Sequence, residues 1–150
     1  MVELDLLYPY HSEKVKMAHN DSHKFESCFI NVDILKNESV MLNTLAGKRL
    51  GIWVAHGEGK FVMPYSESRY NIPVKFSYDN YPGTPNSSNY NTAAICSEDG
   101  RHLAIMPHLE RSIYPWQWAY YPSGRKDDQV SPWIEAFVNA RKWIEKMKGN

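Results

Sequence analysis

The apolar run Leu103-Ala104-Ile105-Met106 ends abruptly at Pro107, and this junction constrains the fold more than any other stretch of the chain. A short apolar run bounded by turn formers reads as a buried strand. Proline has no N–H to give to a sheet ladder, so regular pairing stops there. His108 and Glu110 therefore fall just past a strand's carboxyl end, where open α/β sheets collect ligands and chemistry. In extended chain, residues two apart face the same side, with about 6.5–7 Å between Cα atoms. A glutamate so placed can accept a hydrogen bond from the imidazole. That fixes the ring tautomer and stabilises the protonated ring, as the third member of a catalytic triad does. His-x-Glu is a weak pattern alone, and a solvated pair at a strand end meets the same spacing.

Upstream, Met1 to Leu7 reads as the tail of a helix, ended at Tyr8-Pro9-Tyr10 because the residue before proline leaves the helical region. His11 to Lys24 is polar and reads as loop. Cys28, Ile30, Val32 and Ile34 alternate with Ser27, Phe29, Asn31 and Asp33, the period of a half-buried strand. Glu38 to Ala46 is predicted helical, with Gly47 as its stop. Leu50 to Ala55 is a second buried strand and runs into His56-Gly57-Glu58-Gly59, a tight turn where backbone comes close to something. Phe61 to Met63 and Val74 to Tyr78 are predicted strands on an edge or in a hairpin. Tyr81 to Asn89 is a surface loop. Ala93 to Cys96 is a strand, turned back by Ser97-Glu98-Asp99-Gly100 into His102–Met106. Ser131 and Pro132 open a last helix as N-cap and first position. Trp133, Phe137, Ala140, Ile144 and Met147 form its apolar stripe, and Gly149 ends it.

The 150 residues suggest one domain with a real core. Lys+Arg and Asp+Glu are 17 each, so no basic stripe argues for nucleic acid. No apolar stretch is long enough to cross a membrane. The start of the chain has neither the basic region nor the long apolar region of a signal peptide. Cys28 and Cys96 do not make a disulfide framework, so a cytoplasmic location with reduced thiols is the simplest expectation. Trp116, Trp118, Tyr120 and Tyr121 lie close together, a composition that builds core or an interface more often than a ligand platform.

Several stretches together resemble the C-terminal glutaminase domain of the large phosphoribosylformylglycinamidine synthases, a group of class I (triad) glutamine amidotransferases. They are residues 19–26, Gly51 to Gly59, Tyr81 to Ser88, Asp99 to His102, Met106 to Arg111, Pro115 to Pro122 and Trp133-Ile134. His-Gly-Glu-Gly after a buried strand, followed downstream by Pro-His-x-Glu-Arg, is far more specific than either alone. The resemblance implies an α/β fold, the C-terminal part of a flavodoxin-like amidotransferase domain with a mixed sheet and flanking helices. Residues 1–150 would be a partial domain of six to eight strands with a packed C-terminal helix. It implies His108 and Glu110 as triad members and glutamine as substrate. The partner would be a synthetase domain of the parent chain, where ATP and Mg are used; no Walker-type phosphate loop or other cofactor site is visible here.

The family's nucleophile is a cysteine on a strand-to-helix turn. Its pattern enters this chain at Met1-Val2-Glu3-Leu4, just after that turn, so the resemblance implies that the nucleophile lies upstream. Neither Cys28 nor Cys96 matches it, and both read as inert packing thiols. Leu109 stands where the family often has proline, and residues 84–88 depart from its Asn-Pro-Asn-Gly-Ser pattern, which puts that loop's contacts in doubt. With the first parallel strands absent, an exposed sheet edge open to self-association is expected.

His56, Gly57 and Glu58 are candidates for the glutamine pocket, through backbone groups that the glycines expose; a purely structural turn is the alternative. Asn20 and Ser22 are candidates near the site or loop caps. His19, Asp21 and His23 lack the ligand pairs of a metal centre, so no metal is expected. Trp116, Trp118, Tyr120 and Tyr121 favour docking against the synthetase domain. Two rival functions are a non-catalytic interaction module with an aromatic surface and a small metallohydrolase.

Overall fold

Inward-facing Cys28, Ile30, Val32 and Ile34 make one strand the spine of the molecule, and the other elements are fitted to it. The computed structural model describes residues 1–149. In chain order its strands are β1 (Lys16–Ala18), β2 (Glu26–Ile34), β3 (Arg49–His56), β4 (Lys60–Val62), β5 (Asn71–Phe76), β6 (Thr92–Cys96) and β7 (Leu103–Ile105), followed by helix α1 (Ile134–Lys148). β3-β2-β5-β6-β7 form one sheet, and β1 and β4 a two-stranded ribbon. The α/β class holds, and every pairing among the described strands is antiparallel, so the parallel part of a mixed sheet is not represented in them.

The sheet curls until its ends meet. β3 and β7 are its two outer strands, yet the His108 N–H, three residues past β7, donates to the Trp53 carbonyl of β3 at 2.8 Å. Two side-chain bonds also cover part of β3. The Trp133 indole N–H donates to the Gly51 carbonyl at 2.8 Å, and the Trp53 indole to the Gln117 carbonyl at 2.6 Å. Gly51 is required here: a Cβ at that position would lie 2.4 Å from the Phe29 ring. Inside the curl, Val32, Ile34, Leu42, Ile52, Val54, Val74, Ala94 and Trp133 are essentially sealed from solvent. Each large aliphatic or aromatic chain buried this way contributes about 1.5–3 kcal/mol. Leu7, Val15, Phe61, Met63, Ile72 and Ile95 build a second core beneath the β1–β4 ribbon.

Several expected elements differ. Residues 1–7 form turns rather than a helix, with Asp5 in the left-handed region at φ 56°. The 11–24 loop contains β1. The predicted helix at Glu38–Ala46 reduces to a single 3-10 turn at Asn43–Leu45. The Asn37 side chain receives the Ser39 N–H in a local turn, the Val40 N–H goes across to the Gly100 carbonyl, and the Leu42 and Asn43 N–H groups both go to the Ser39 carbonyl, so the segment closes as short turns rather than a regular helical ladder. β5 is central rather than on an edge or in a hairpin. Pro73 is tolerated because the β5–β6 register shifts between Asn71 and Val74.

α1 packs on the body, but not through the stripe the sequence suggests. Trp133, Ala136 and Asn139 are buried, whereas Phe137, Ile144 and Met147 are 38%, 47% and 55% exposed. Asn139 decides the rotation. Its amide donates to the Met41 carbonyl at 3.0 Å and to the Thr44 hydroxyl at 2.6 Å, so a residue counted as polar by pattern becomes the anchor. Ser131 caps the turn that leads into the helix: its hydroxyl accepts the Trp133 N–H and its carbonyl the Ile134 N–H. The regular helix starts at Ile134.

Candidate active site

The proline stop after β7 delivers His108 to the seam of the curled sheet. Its backbone is extended, at φ −96° and ψ 95°, and its carbonyl receives the Arg111 N–H. The chain then tightens into a 3-10 turn, Leu109–Arg111, rather than continuing extended. Leu109 is driven into the core at 6% exposure, which leaves its two neighbours directed outward. The His108 Nδ1 lies 2.6 Å from Glu110 Oε1. An ionised carboxylate only accepts, so Nδ1 carries the proton and Nε2 is left available for proton transfer. The following segment is fastened by buried Ser112, whose carbonyl receives the Trp118 indole N–H at 2.8 Å and the Ser131 hydroxyl.

Partial burial pushes the Glu110 carboxyl upward. The hydrogen bond from His108, its own backbone N–H and the charges of His108 and Arg111 outweigh that push and hold it below the ordinary glutamate value. A depressed carboxyl favours the folded state above its unfolded value, and this contribution is lost as pH falls through the folded value. The expected result in an NMR titration of the Glu110 carboxyl is a midpoint below that of free glutamate, which moves upward when His108 is replaced by alanine. An unchanged midpoint would show that the pair is not coupled.

His56, Gly57, Glu58 and Gly59 occupy the turn after β3, but they do different things. His56 is 7% exposed and its ring is engaged on both sides. Nδ1 lies 3.1 Å from Asn20 Oδ1, and Asn86 Nδ2 lies 3.4 Å from Nε2. The Asn20 oxygen also takes the Gly59 N–H, and Asn86 donates to the Gly59 carbonyl, so neutral His56 ties together the 20–24, 56–60 and 86–88 loops. Burial holds its imidazole below the ordinary range. His108 lowers it further, while a backbone hydrogen bond and Glu26 oppose. A Cβ on Gly59 would lie 2.3 Å from this ring, which explains the glycine without any ligand. Gly57 accepts the Asn20 N–H. Glu58 is exposed, 3.6 Å from His19, beside an open pocket of about 410 Å³ also lined by His23, Lys24 and Phe25.

Asn20, expected near the site or as a loop cap, is fully buried and is the hub of this network. Ser22 merely receives the Lys24 N–H. Asp21 pairs with Lys60 at 2.6 Å and His19 turns to Glu58; no group of three or more metal-ligating side chains converges among the described residues. Cys96 is sealed from solvent and burial raises its thiol; half-buried Cys28 is raised by burial and then by Glu26. Sequence reasoning singled out neither Asn86 nor Ser88, whose buried side chains bind the neighbouring loops.

A protein-family model described as a CobB/CobQ-like glutamine amidotransferase domain matches residues 1–144. The chain belongs to this family. Among curated relatives of this glutamine amidotransferase chain, phosphoribosylformylglycinamidine synthase of Dictyostelium discoideum is 37% identical, over 88% of this chain and 11% of that protein. The Homo sapiens phosphoribosylformylglycinamidine synthase is 39% identical over 85% of this chain and 10% of its own length. A probable chloroplastic/mitochondrial one from Arabidopsis thaliana is 39% identical over 87% and 10%. This chain therefore spans about a tenth of the length of these relatives. The solved structure of PurLQS from Thermotoga maritima superposes with a TM-score of 0.65 at 22% identity, over 88% of this chain and 54% of that one. It shares the fold of the curled sheet and terminal helix. No helix among the described residues is long and apolar enough to cross a membrane.

Proposed function

We propose that residues 1–150 are the glutaminase portion of a phosphoribosylformylglycinamidine synthase, with His108 and Glu110 as two members of its triad. The observation that carries this is the 2.6 Å contact between His108 Nδ1 and Glu110 Oε1 at the carboxyl end of β7. The third member is a cysteine outside these residues. Its thiol passes a proton to His108 Nε2, the resulting thiolate attacks the glutamine amide carbon, and backbone N–H groups hold the developing oxyanion. His108 Nε2 gives a proton to the departing nitrogen, so ammonia leaves and a glutamyl thioester remains. His108 then takes a proton from water, which attacks the thioester and releases glutamate. Glu110 stabilises the imidazolium and keeps its ring oriented.

The ammonia would pass to a synthetase domain that uses ATP and Mg to convert formylglycinamide ribonucleotide into its amidine. His56, Gly57 and Glu58 would shape one wall of the glutamine site, His56 by holding the loops and the other two by presenting backbone. Trp116 and Tyr120, 79% and 73% exposed, offer an apolar face beside the site for that domain. The cytoplasm is the proposed location. The test is glutamine-driven synthesis by the full-length protein: failure to release glutamate would overturn the proposal. Beyond the seam where His108 meets β3, the edge of β7 away from β6 is proposed to pair with a second copy of an isolated 1–150 chain. Sedimentation of that chain as a monomer at all accessible concentrations would rule this out.

A further inference from the structure

Residues 109–117, which follow His108, belong to no strand and contain two 3-10 turns, Leu109–Arg111 and Pro115–Gln117. A stretch without a ladder is held by individual bonds, and one residue of β3 holds this one at both ends. At the start, the Trp53 carbonyl accepts the His108 N–H at 2.8 Å. At the far end, the Trp53 indole N–H donates to the Gln117 carbonyl at 2.6 Å. Gln117 is fixed in its turn, because its side-chain Oε1 accepts the Tyr114 N–H at 2.9 Å and its own N–H goes to the Tyr114 carbonyl. Between the two ends, buried Leu109 and Ser112 pin the stretch to the body.

Trp53 and His108 stand opposite each other in an antiparallel bridge, so their side chains leave the sheet on the same face. On that face an open pocket of about 340 Å³ lies between Ser27 and Ala55 of the sheet and Arg111 and Gln117 of the turns. The turns stand off the sheet here, and the Trp53 ring, which lines the same pocket, is the strut that spans the gap. Phe29 packs edge-on against that ring, with 5.2 Å between centroids. We propose that Trp53 is a positioning residue of the glutaminase reaction, its two bonds holding the arch on which His108 and Glu110 sit. It acts through His108, and this rests on the glutaminase function above. A misplacement of about 1 Å, even from a change away from the chemistry, can cost about 10²-fold in rate. The indole bond therefore matters to kcat out of proportion to its share of stability.

The experiment uses the full-length protein and measures glutamine-driven and ammonia-driven synthesis for the wild type, Trp53→Phe and Phe29→Leu. Trp53→Phe keeps an aromatic ring and the backbone carbonyl but has no N–H for Gln117. Its kcat with glutamine should fall about 10–100-fold, with KM for glutamine little changed and the ammonia-driven rate that of the wild type. Phe29→Leu removes the packing partner and leaves both Trp53 bonds, so it should lower the thermal midpoint without that loss in kcat. An unchanged kcat in Trp53→Phe would overturn the proposal. So would an equal loss in Phe29→Leu, which would assign the effect to packing, or a change confined to KM, which would assign it to substrate binding. If Trp53→Phe does not fold, Gln117→Ala, which frees the turn that presents the carbonyl to the indole, should show the same selective fall in kcat; an unaltered kcat there overturns the proposal equally. A wild type that releases no glutamate from glutamine removes the glutaminase function and this proposal with it. Wild-type turnover matched by the variant removes the proposal alone.

Discussion

Replacing His108 by alanine in the full-length protein is expected to abolish glutamine-driven synthesis while leaving ammonia-driven synthesis intact. The loss should be at least the 10²–10⁴-fold or so contributed by a positioned acid and base. It should exceed that where histidine also keeps the thiolate available, because members of a triad act as a unit. Ammonia bypasses the step, since it needs no amide cleavage. Glu110→Ala should be the milder change: the imidazole survives, but loses the acceptor 2.6 Å away that fixes its tautomer. Parallel assays with glutamine and with ammonium salt decide the matter. Glutamine-driven turnover within about tenfold of wild type in the His108 variant would remove the histidine from the chemistry.

The isolated 150-residue chain is expected to release no glutamate from glutamine. Its two cysteines are poor nucleophiles for physical reasons. Reactivity needs thiolate, and burial disfavours the charged form. Cys96 has no exposed surface, and the half-buried Cys28 faces the additional repulsion of Glu26. The pair of His108 and Glu110 can move protons but cannot form a thioester alone. Glutamate release should stay at background for the wild type and for Cys28→Ser and Cys96→Ser. Robust turnover lost on changing either cysteine would put the nucleophile inside these residues.

What could be read from sequence, and what could not, follows from the range of the interactions. Strands whose identity depends on alternation, such as Cys28 to Ile34, or on an apolar run with a hard stop, such as Leu103 to Pro107, are local features and are found where expected. The His108–Glu110 contact was legible because two residues of chain limit how far their side chains can part. The Glu38–Ala46 helix was not: Val40 is pinned to Gly100, distant in sequence, and the remaining bonds of the segment close only short local turns. The rotation of α1 was hidden for a related reason. Pattern assigns Asn139 to solvent, and only the Met41 carbonyl and Thr44 hydroxyl make it an inward residue. Buried polar hubs such as Asn20 and Asn86 look like loop residues until three loops are brought together. The closing of the sheet through Trp53 and His108 is the clearest case, a single bond between outer strands that no periodicity encodes.

The outward turn of Phe137, Ile144 and Met147 on α1 bears on how this polypeptide behaves in a test tube. Its formal net charge at pH 7 is +0, so at neutral pH no long-range repulsion separates two molecules whose helices expose apolar side chains. Solubility of the isolated chain should pass through its minimum near the pH at which most assays are run. Buffers well to either side of neutrality, where like charges accumulate, are the natural conditions for concentrating it.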